Sequence, residues 1–315
     1  KSGEKMVAFS RHWSAMGGIL ALALTGLATP GVAWAAGRDP LVITLGIGAQ
    51  YDSNVSVDEA DLSVHKGDSA LLTALSVRYT ILDERKASLR VGYSFDDTRN
   101  ADLTDLDVQV HAVSGGATYR LGRVQLGLDG QYSHVLLDDD RYLDMQTITP
   151  SVSGFATDRL FLRAAYSRQR KRFVRSASLD ADTDSLALDA YRFFARRKGY
   201  VALGLRLDDE DASGPQYRYR AVQASLRAQV PLRLLGPNAR LRLGASHGKR
   251  DYREITPAIG RERFEKRTVL NAALDIPLTK ALTMRPQVRY TDRQSNLPAF
   301  DYREHVLSSM LTYRF

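Results

Sequence analysis

Val201-Ala202-Leu203-Gly204-Leu205-Arg206-Leu207-Asp208 is the stretch that decides how this chain folds. Val201, Leu203, Leu205 and Leu207 alternate with Ala202, Gly204, Arg206 and Asp208. Period two puts the two sets on opposite faces of an extended strand, one apolar and one small or charged. The same pattern returns elsewhere. Leu241, Leu243 and Ala245 alternate with Arg242, Gly244 and Ser246, and Leu89, Val91, Tyr93 and Phe95 with Arg90, Gly92, Ser94 and Asp96. Leu282, Met284, Val288 and Tyr290 alternate with Thr283, Arg285, Gln287 and Arg289. Helical periodicity is scarce after residue 40, so the chain reads as all-β.

Soluble sandwiches alternate too, so the connections have to choose the architecture. Short turns are expected at 82–85, 121–123, 157–159, 195–199, 235–238 and 279–280. Longer polar loops are expected near 54–67, 98–104, 137–142, 173–182, 209–216, 252–263 and 293–299. Short turns on one side and longer loops on the other mark a transmembrane antiparallel β-barrel of the outer-membrane type, here with about 14 strands and between about 12 and 16. In hydrocarbon every backbone polar group must be satisfied by the protein, and a closed sheet does that. No apolar run reaches the roughly 20 residues of a spanning helix.

The longest apolar run, Ile19–Leu27, follows Lys1, Lys5 and Arg11 and precedes Ala33-Trp34-Ala35. That order predicts a secretory signal peptide over 1–35, cut after Ala35, and a barrel over 36–315. The chain has no Cys, which excludes a disulfide framework and a lipid-attachment thiol. Its net charge is +8, of which Lys1, Lys5 and Arg11 less Glu4 supply +2. For a secreted chain the basic balance points to anionic lipid or solute rather than to nucleic acid.

No catalytic or metal signature emerges, and no cofactor is expected. The six His residues lack ligand spacing. Ser133 and His134 are neighbours and so face opposite ways on a strand. Asp138-Asp139-Asp140 reads as a solvated loop tip rather than a cation site. Gly115-Gly116 lies within an alternating segment, where glycine marks a bend.

The alternation turns Arg78, Arg90, Arg163, Arg206, Arg227, Arg242, Arg285 and Arg289 into the lumen, with Asp96, Asp129, Asp189, Asp208 and Asp275 as inward acids. Such groups must be paired or wet. The residues leave two readings open: cross-strand structural pairing, to which most of the set is ascribed, or a pore that favours anions. A second basic set is expected near the outer loops: Arg168, Arg170, Lys171, Arg172 and Arg175, then Lys249, Arg250, Arg253, Arg261, Arg263, Lys266 and Arg267. Lipopolysaccharide phosphates at the outer leaflet are their expected partners.

Leu307, Ser309, Leu311, Tyr313 and Phe315 share one face of the last strand, and a terminal aromatic on the lipid face suits an interfacial girdle. It is similar to the terminal signal that barrel-assembly machinery recognises. Two further segments carry a family resemblance. Tyr51-Asp52-Ser53-Asn54-Val55, and Arg289 to Leu297 with Ser295-Asn296, continuing through Tyr302 to Phe315, resemble the C-terminal barrel of the surface lipoprotein assembly modifiers. The match covers the two ends of the chain, and Asp-Ser-Asn tops occur in other barrels too, including exopolysaccharide exporters. The resemblance implies an outer-membrane barrel that helps move lipoproteins to the cell surface. The barrel is expected to begin at about Leu41, without the helical repeat domain usual in that family. The leading expectation is thus a channel or translocation barrel and not an enzyme. A passive porin for small anionic solutes, and a plugged structural or adhesive barrel, are the alternatives.

Overall fold

The computed structural model describes residues 40–57, 62–236 and 238–315. The expected signal segment and its cleavage site lie outside the described residues. The strands are β1 Leu41–Asp52, β2 Asp68–Asp83, β3 Ala87–Asn100, β4 Val108–Leu121, β5 Val124–Leu137, β6 Asp140–Phe155 and β7 Leu160–Phe173. They continue as β8 Ala181–Phe194, β9 Gly199–Ala212, β10 Tyr219–Pro231, β11 Arg240–Thr256, β12 Arg261–Pro277, β13 Leu282–Ser295 and β14 Tyr302–Arg314. Each pairs antiparallel with its neighbours in sequence, and β1 closes on β14 from Thr44↔Arg314 to Asp52↔Val306. The result is a closed barrel of 14 strands, the architecture the alternation predicts. Closure leaves no free edge.

The outward face is apolar to a degree that water would not tolerate. Leu203 is 63% exposed, Leu307 59% and Val288 50%, and similar residues continue around the wall. An uninterrupted apolar surface of that kind belongs in hydrocarbon. Tyr79, Tyr119, Tyr313 and Phe315 border it at the end carrying the turns, and Tyr51, Tyr132 and Tyr166 toward the end carrying the loops. The terminal pair Tyr313–Phe315 meets edge to face at 4.7 Å, and the Phe315 N–H donates to the Ile43 carbonyl at 2.9 Å across the seam. No helix among the described residues is long and apolar enough to cross a membrane.

At the turn end the connection expected at 235–238 widens to the whole stretch between Pro231 and Arg240, and at the loop end the connections differ most from expectation in two places. The loop expected at 137–142 is a tight turn at Asp138-Asp139, both with positive φ (50° and 59°), the conformation of a primed hairpin turn. The loop expected at 252–263 shrinks to residues 257–260, because β11 runs to Thr256 and β12 starts at Arg261. In both places the strands rise above the apolar band. There both faces are polar, the hydropathy alternation fades, and a strand resembles a loop. The longest connection at this outer end is 53–67, which carries a small hairpin of Ser56–Val57 with Leu62–Ser63.

Candidate functional site: the lumen

Fourteen strands enclose more space than the eight that side chains fill unaided, so the interior residues decide what the barrel can pass. In its middle and lower half the wall is built from arginines laid against glycines. Arg90 on β3 stands opposite Gly116 on β4, which stands opposite Asp129 on β5. The Arg90 guanidinium donates over the glycine to Asp129 at 3.3 Å. A Cβ at Gly116 would come to 2.7 Å from the Asp129 carboxylate and 3.0 Å from Arg90 Nε. Asp189 on β8 and Arg227 on β10 repeat the device over Gly204 of β9. Arg163 on β7 approaches the same carboxylate at 3.8 Å. Asp275 on β12 takes Arg242 from β11 at 2.8 Å and Arg285 from β13 at 2.5 Å. Asp208 accepts from Arg206 at 2.7 Å and from Ser185 at 2.6 Å. Arg78 faces Gly92, and Arg289 lies on the inward row of β13. All these lumen candidates, with Asp96, share the inward face. Most are held along the wall by pairs that span one or two strands.

The outer mouth is different and was largely missed from sequence. Glu265 accepts from Arg293 at 2.8 Å, is also contacted by Arg263, and has Arg250 at 3.8 Å. Arg263 and Arg293 are each 2% exposed and flank the Phe300 ring at 4.0 and 5.1 Å. Lys171 donates to Glu210 at 2.7 Å, and Tyr219 to the same carboxylate at 2.9 Å. Lys171, Arg250, Arg263 and Arg267 therefore face inward, which corrects their assignment to an outer lipopolysaccharide set. Arg168, Arg170, Arg172, Lys249 and Lys266 do face outward. The reason is parity: the period-two register set by Arg289 carries on to Arg293, and that of Arg242 carries on to Arg250. A loop reading breaks this count.

The opposite side of the mouth is apolar. Val108, Val110, Val135, Leu143, Met145 and Phe173 point inward and pack with Leu106 and with Val55 from the first outer loop. That loop is also tied to β14, the strand that pairs with β1 at the seam. Ser56 Oγ donates to Glu304 Oε1 at 3.0 Å and meets Tyr302 Oη at 3.3 Å. Asn54 and Ser63 hydrogen-bond each other within the loop. Asp52 is 3% exposed and accepts from the Asn54 N–H at 2.9 Å. At the turn end a third cluster, Phe155, Phe161, Tyr191, Phe193 and Tyr200, lines the wall of β6–β9.

The family-motif residues fall at the outer end. Tyr51 faces out. Ser53 ties the first loop to β14: its N–H donates to the His305 carbonyl at 3.0 Å and its Oγ accepts from the His305 N–H at 2.8 Å. Ser295 Oγ accepts from the Leu297 N–H at 3.1 Å. Asn296 accepts from the Phe264 N–H at 3.0 Å and donates to the Glu262 carbonyl at 2.9 Å. Each pair thus fixes its own loop, on either side of β14. Ser133 points into the lumen while His134 points outward to Asp144 at 2.6 Å, so these neighbours form no nucleophile–base contact.

No family model and no curated protein matches this chain. Among solved structures, OmpT, an outer membrane protein of Vibrio cholerae folded in vitro and in trimer form, is similar at 8% identity with a TM-score of 0.50. The match covers 88% of this chain and 100% of that one. OccAB3 of Acinetobacter baumannii follows at 10% identity and a TM-score of 0.48, covering 87% and 99%. An anion-selective porin from Comamonas acidovorans has 9% identity and a TM-score of 0.48, covering 87% and 98%. With the closed sheet and the apolar belt, this is the fold of a multi-pass β-barrel of the bacterial outer membrane.

Proposed function

We propose that the chain is a gated outer-membrane channel for an anionic client, closed at its outer mouth by the first outer loop. The observation that carries the reading is the placement of that loop. Val55 packs into the apolar cluster of β4–β7 while Ser56 bonds to Glu304 of β14 beside the seam, so the segment folds inward over the mouth above an arginine-lined lumen. Fixed guanidinium groups lining a lumen favour anions, a preference that weakens as salt screens the field. Translocation of a lipoprotein is the specific form that the resemblance of Tyr51–Val55 and Arg289–Leu297 supports. Outer-membrane lipid, lipopolysaccharide and the barrel-assembly machinery are the remaining partners on this reading.

Single-channel recording tests it. The intact barrel is expected to be closed with rare openings, and removal of residues 56–63 to give a steady, anion-preferring conductance. A large constitutive conductance in the intact chain favours the passive porin instead. Silence in both favours a plugged structural barrel. Surface display of a co-expressed lipoprotein that depends on this chain separates translocation from solute passage.

A further inference from the structure

The outward wall carries one cluster that residue spacing along the chain does not announce. Phe95 of β3, His111 of β4, His134 of β5 and Asp144 of β6 stand opposite one another in register, one row across four strands. Val113 and Tyr132 come next toward the apolar belt, and Gln109 and Leu136 next toward the loops, so the row marks the outer border of the belt. Both histidines are partly exposed. Directly opposed residues on antiparallel strands hold their Cβ atoms about 4.5–5.5 Å apart.

Each ring is held through its Nδ1, and from opposite sides. His111 Nδ1 bonds to Tyr93 Oη at 2.9 Å on the β3 side, and its ring lies 4.9 Å from that of Phe95 between centroids. His134 Nδ1 bonds to Asp144 Oδ1 at 2.6 Å on the β6 side. With both Nδ1 atoms turned away from the pair, the edges that carry Nε2 turn toward the gap between the rings. Asp144 also accepts from Tyr132 Oη at 2.9 Å and from Arg141 at 3.2 Å, which fixes the carboxylate. An Nδ1–H donated to that carboxylate leaves the lone pair of a neutral imidazole on Nε2. A carboxylate behind an imidazole is the usual outer-shell support of a metal-binding histidine. Two nitrogens each about 2 Å from one ion lie about 3 Å apart, a separation that side chains on opposed residues can reach.

We infer that His111 and His134 form a two-nitrogen site for a divalent late transition-metal ion on the outer surface of the barrel, with Asp144 as a positioning residue for His134. Imidazole suits zinc, nickel and copper, whereas calcium and magnesium take oxygen ligands. Among the described residues no group of three His, Cys, Asp or Glu could hold an ion, so the remaining coordination positions fall to water or to an external ligand. The site lies outside the lumen and is independent of whether the pore conducts.

Copper(II) is the probe, because it binds most tightly in its series. The refolded, untagged barrel in detergent is titrated with copper(II) chloride and followed by electron paramagnetic resonance. The spectrum is read as the difference from the double variant His111→Gln/His134→Gln. Coupling to two imidazole nitrogens is expected. His111→Gln and His134→Gln should each leave one nitrogen and weaken binding about tenfold or more, since losing a ligand costs at least as much as losing its outer-shell partner. Asp144→Asn should keep both nitrogens and weaken binding about tenfold. His305→Gln, on the outward face of β14, should stay within about twofold, as a distant site does. Heat-modifiable migration reports folding, and where a glutamine variant fails to fold, the nitrogen count of the parent decides. One nitrogen or none in the parent overturns the site. So does an equal loss in His305→Gln, or displacement of copper by excess calcium.

Discussion

At the scale of single residues, the lumen depends on where side chains are absent. Gly116 and Gly115 are neighbours, yet the structure separates them sharply. A Cβ at Gly116 would press on the Asp129–Arg90 pair, while a Cβ at Gly115 meets nothing within 4 Å on the outward face. Gly116→Val is therefore expected to destabilise the barrel by about 1–3 kcal/mol through overpacking and loss of the bridge. Gly115→Val is expected to be neutral. Urea titration of folding into vesicles measures both, and equal effects would show the register is misread. The same logic revises a tolerance that alternation alone suggests. Gly204 faces the lumen and looks permissive beside lipid-facing Leu203. Its Cβ would come within 2.6 Å of Ser225 Oγ and 2.9 Å of Asp189 Oδ1. Leu203→Arg is expected to cost about 2–4 kcal/mol at mid-bilayer. Gly204→Ser is expected to carry a measurable cost of its own, read by the same titration, and full tolerance at Gly204 would count against the Asp189–Arg227 bridge.

At the scale of elements, the hairpin of β5 and β6 shows how polar sequence can hide a strand. Asp138-Asp139 forms its turn, and Asp139 accepts from Arg99 at 2.9 Å and from Gln109 at 2.9 Å, which stitches the tip to β3 and β4. Asp138 has no such cation. Its carboxyl is pushed above the ordinary range by desolvation and then by Asp105, Asp139, Asp140 and Asp107. A raised carboxyl favours its neutral form in the folded state. That contribution is present at low pH and is lost as pH rises through the raised value. Asp138→Asn mimics the neutral form and tolerates the left-handed backbone. It is expected to match the parent near pH 4 and to exceed it increasingly toward pH 7, as read from unfolding midpoints across that range. A stabilisation that shrinks with rising pH would contradict the crowding of acids at this tip.

At the scale of the whole molecule, the seam is the test of closure. Ser53 and His305 are joined by two hydrogen bonds although 252 residues separate them. Ser53→Cys combined with His305→Cys is expected to crosslink with a thiol reagent spanning about 5–8 Å, little more than one strand spacing. The crosslinked band should resist heat-induced unfolding on gels. No crosslink in folded material would mean that β1 does not close on β14. The strap over the mouth is fastened to the same seam, so the crosslink is also expected to leave the mouth closed.

The sequence by itself determined the architecture and the two faces, because both follow from a local rule: period two in hydrophobicity, repeated, with turns between. That rule found the closed sheet, the lipid-facing leucines and the inward row from Arg78 to Arg289. It lost the thread above the membrane, where both faces are polar and local hydropathy no longer distinguishes strand from loop; Lys171, Arg250, Arg263 and Arg267 were assigned to the wrong side there. Only the tertiary structure decided which arginine meets which acid, that glycines lie beneath those bridges, and that the first outer loop folds into the mouth. Ser56 finds Glu304 and Tyr302 almost 250 positions away. Such contacts depend on barrel closure and stagger, which set side chains from distant segments at one depth and leave no trace in the spacing of residues along the chain.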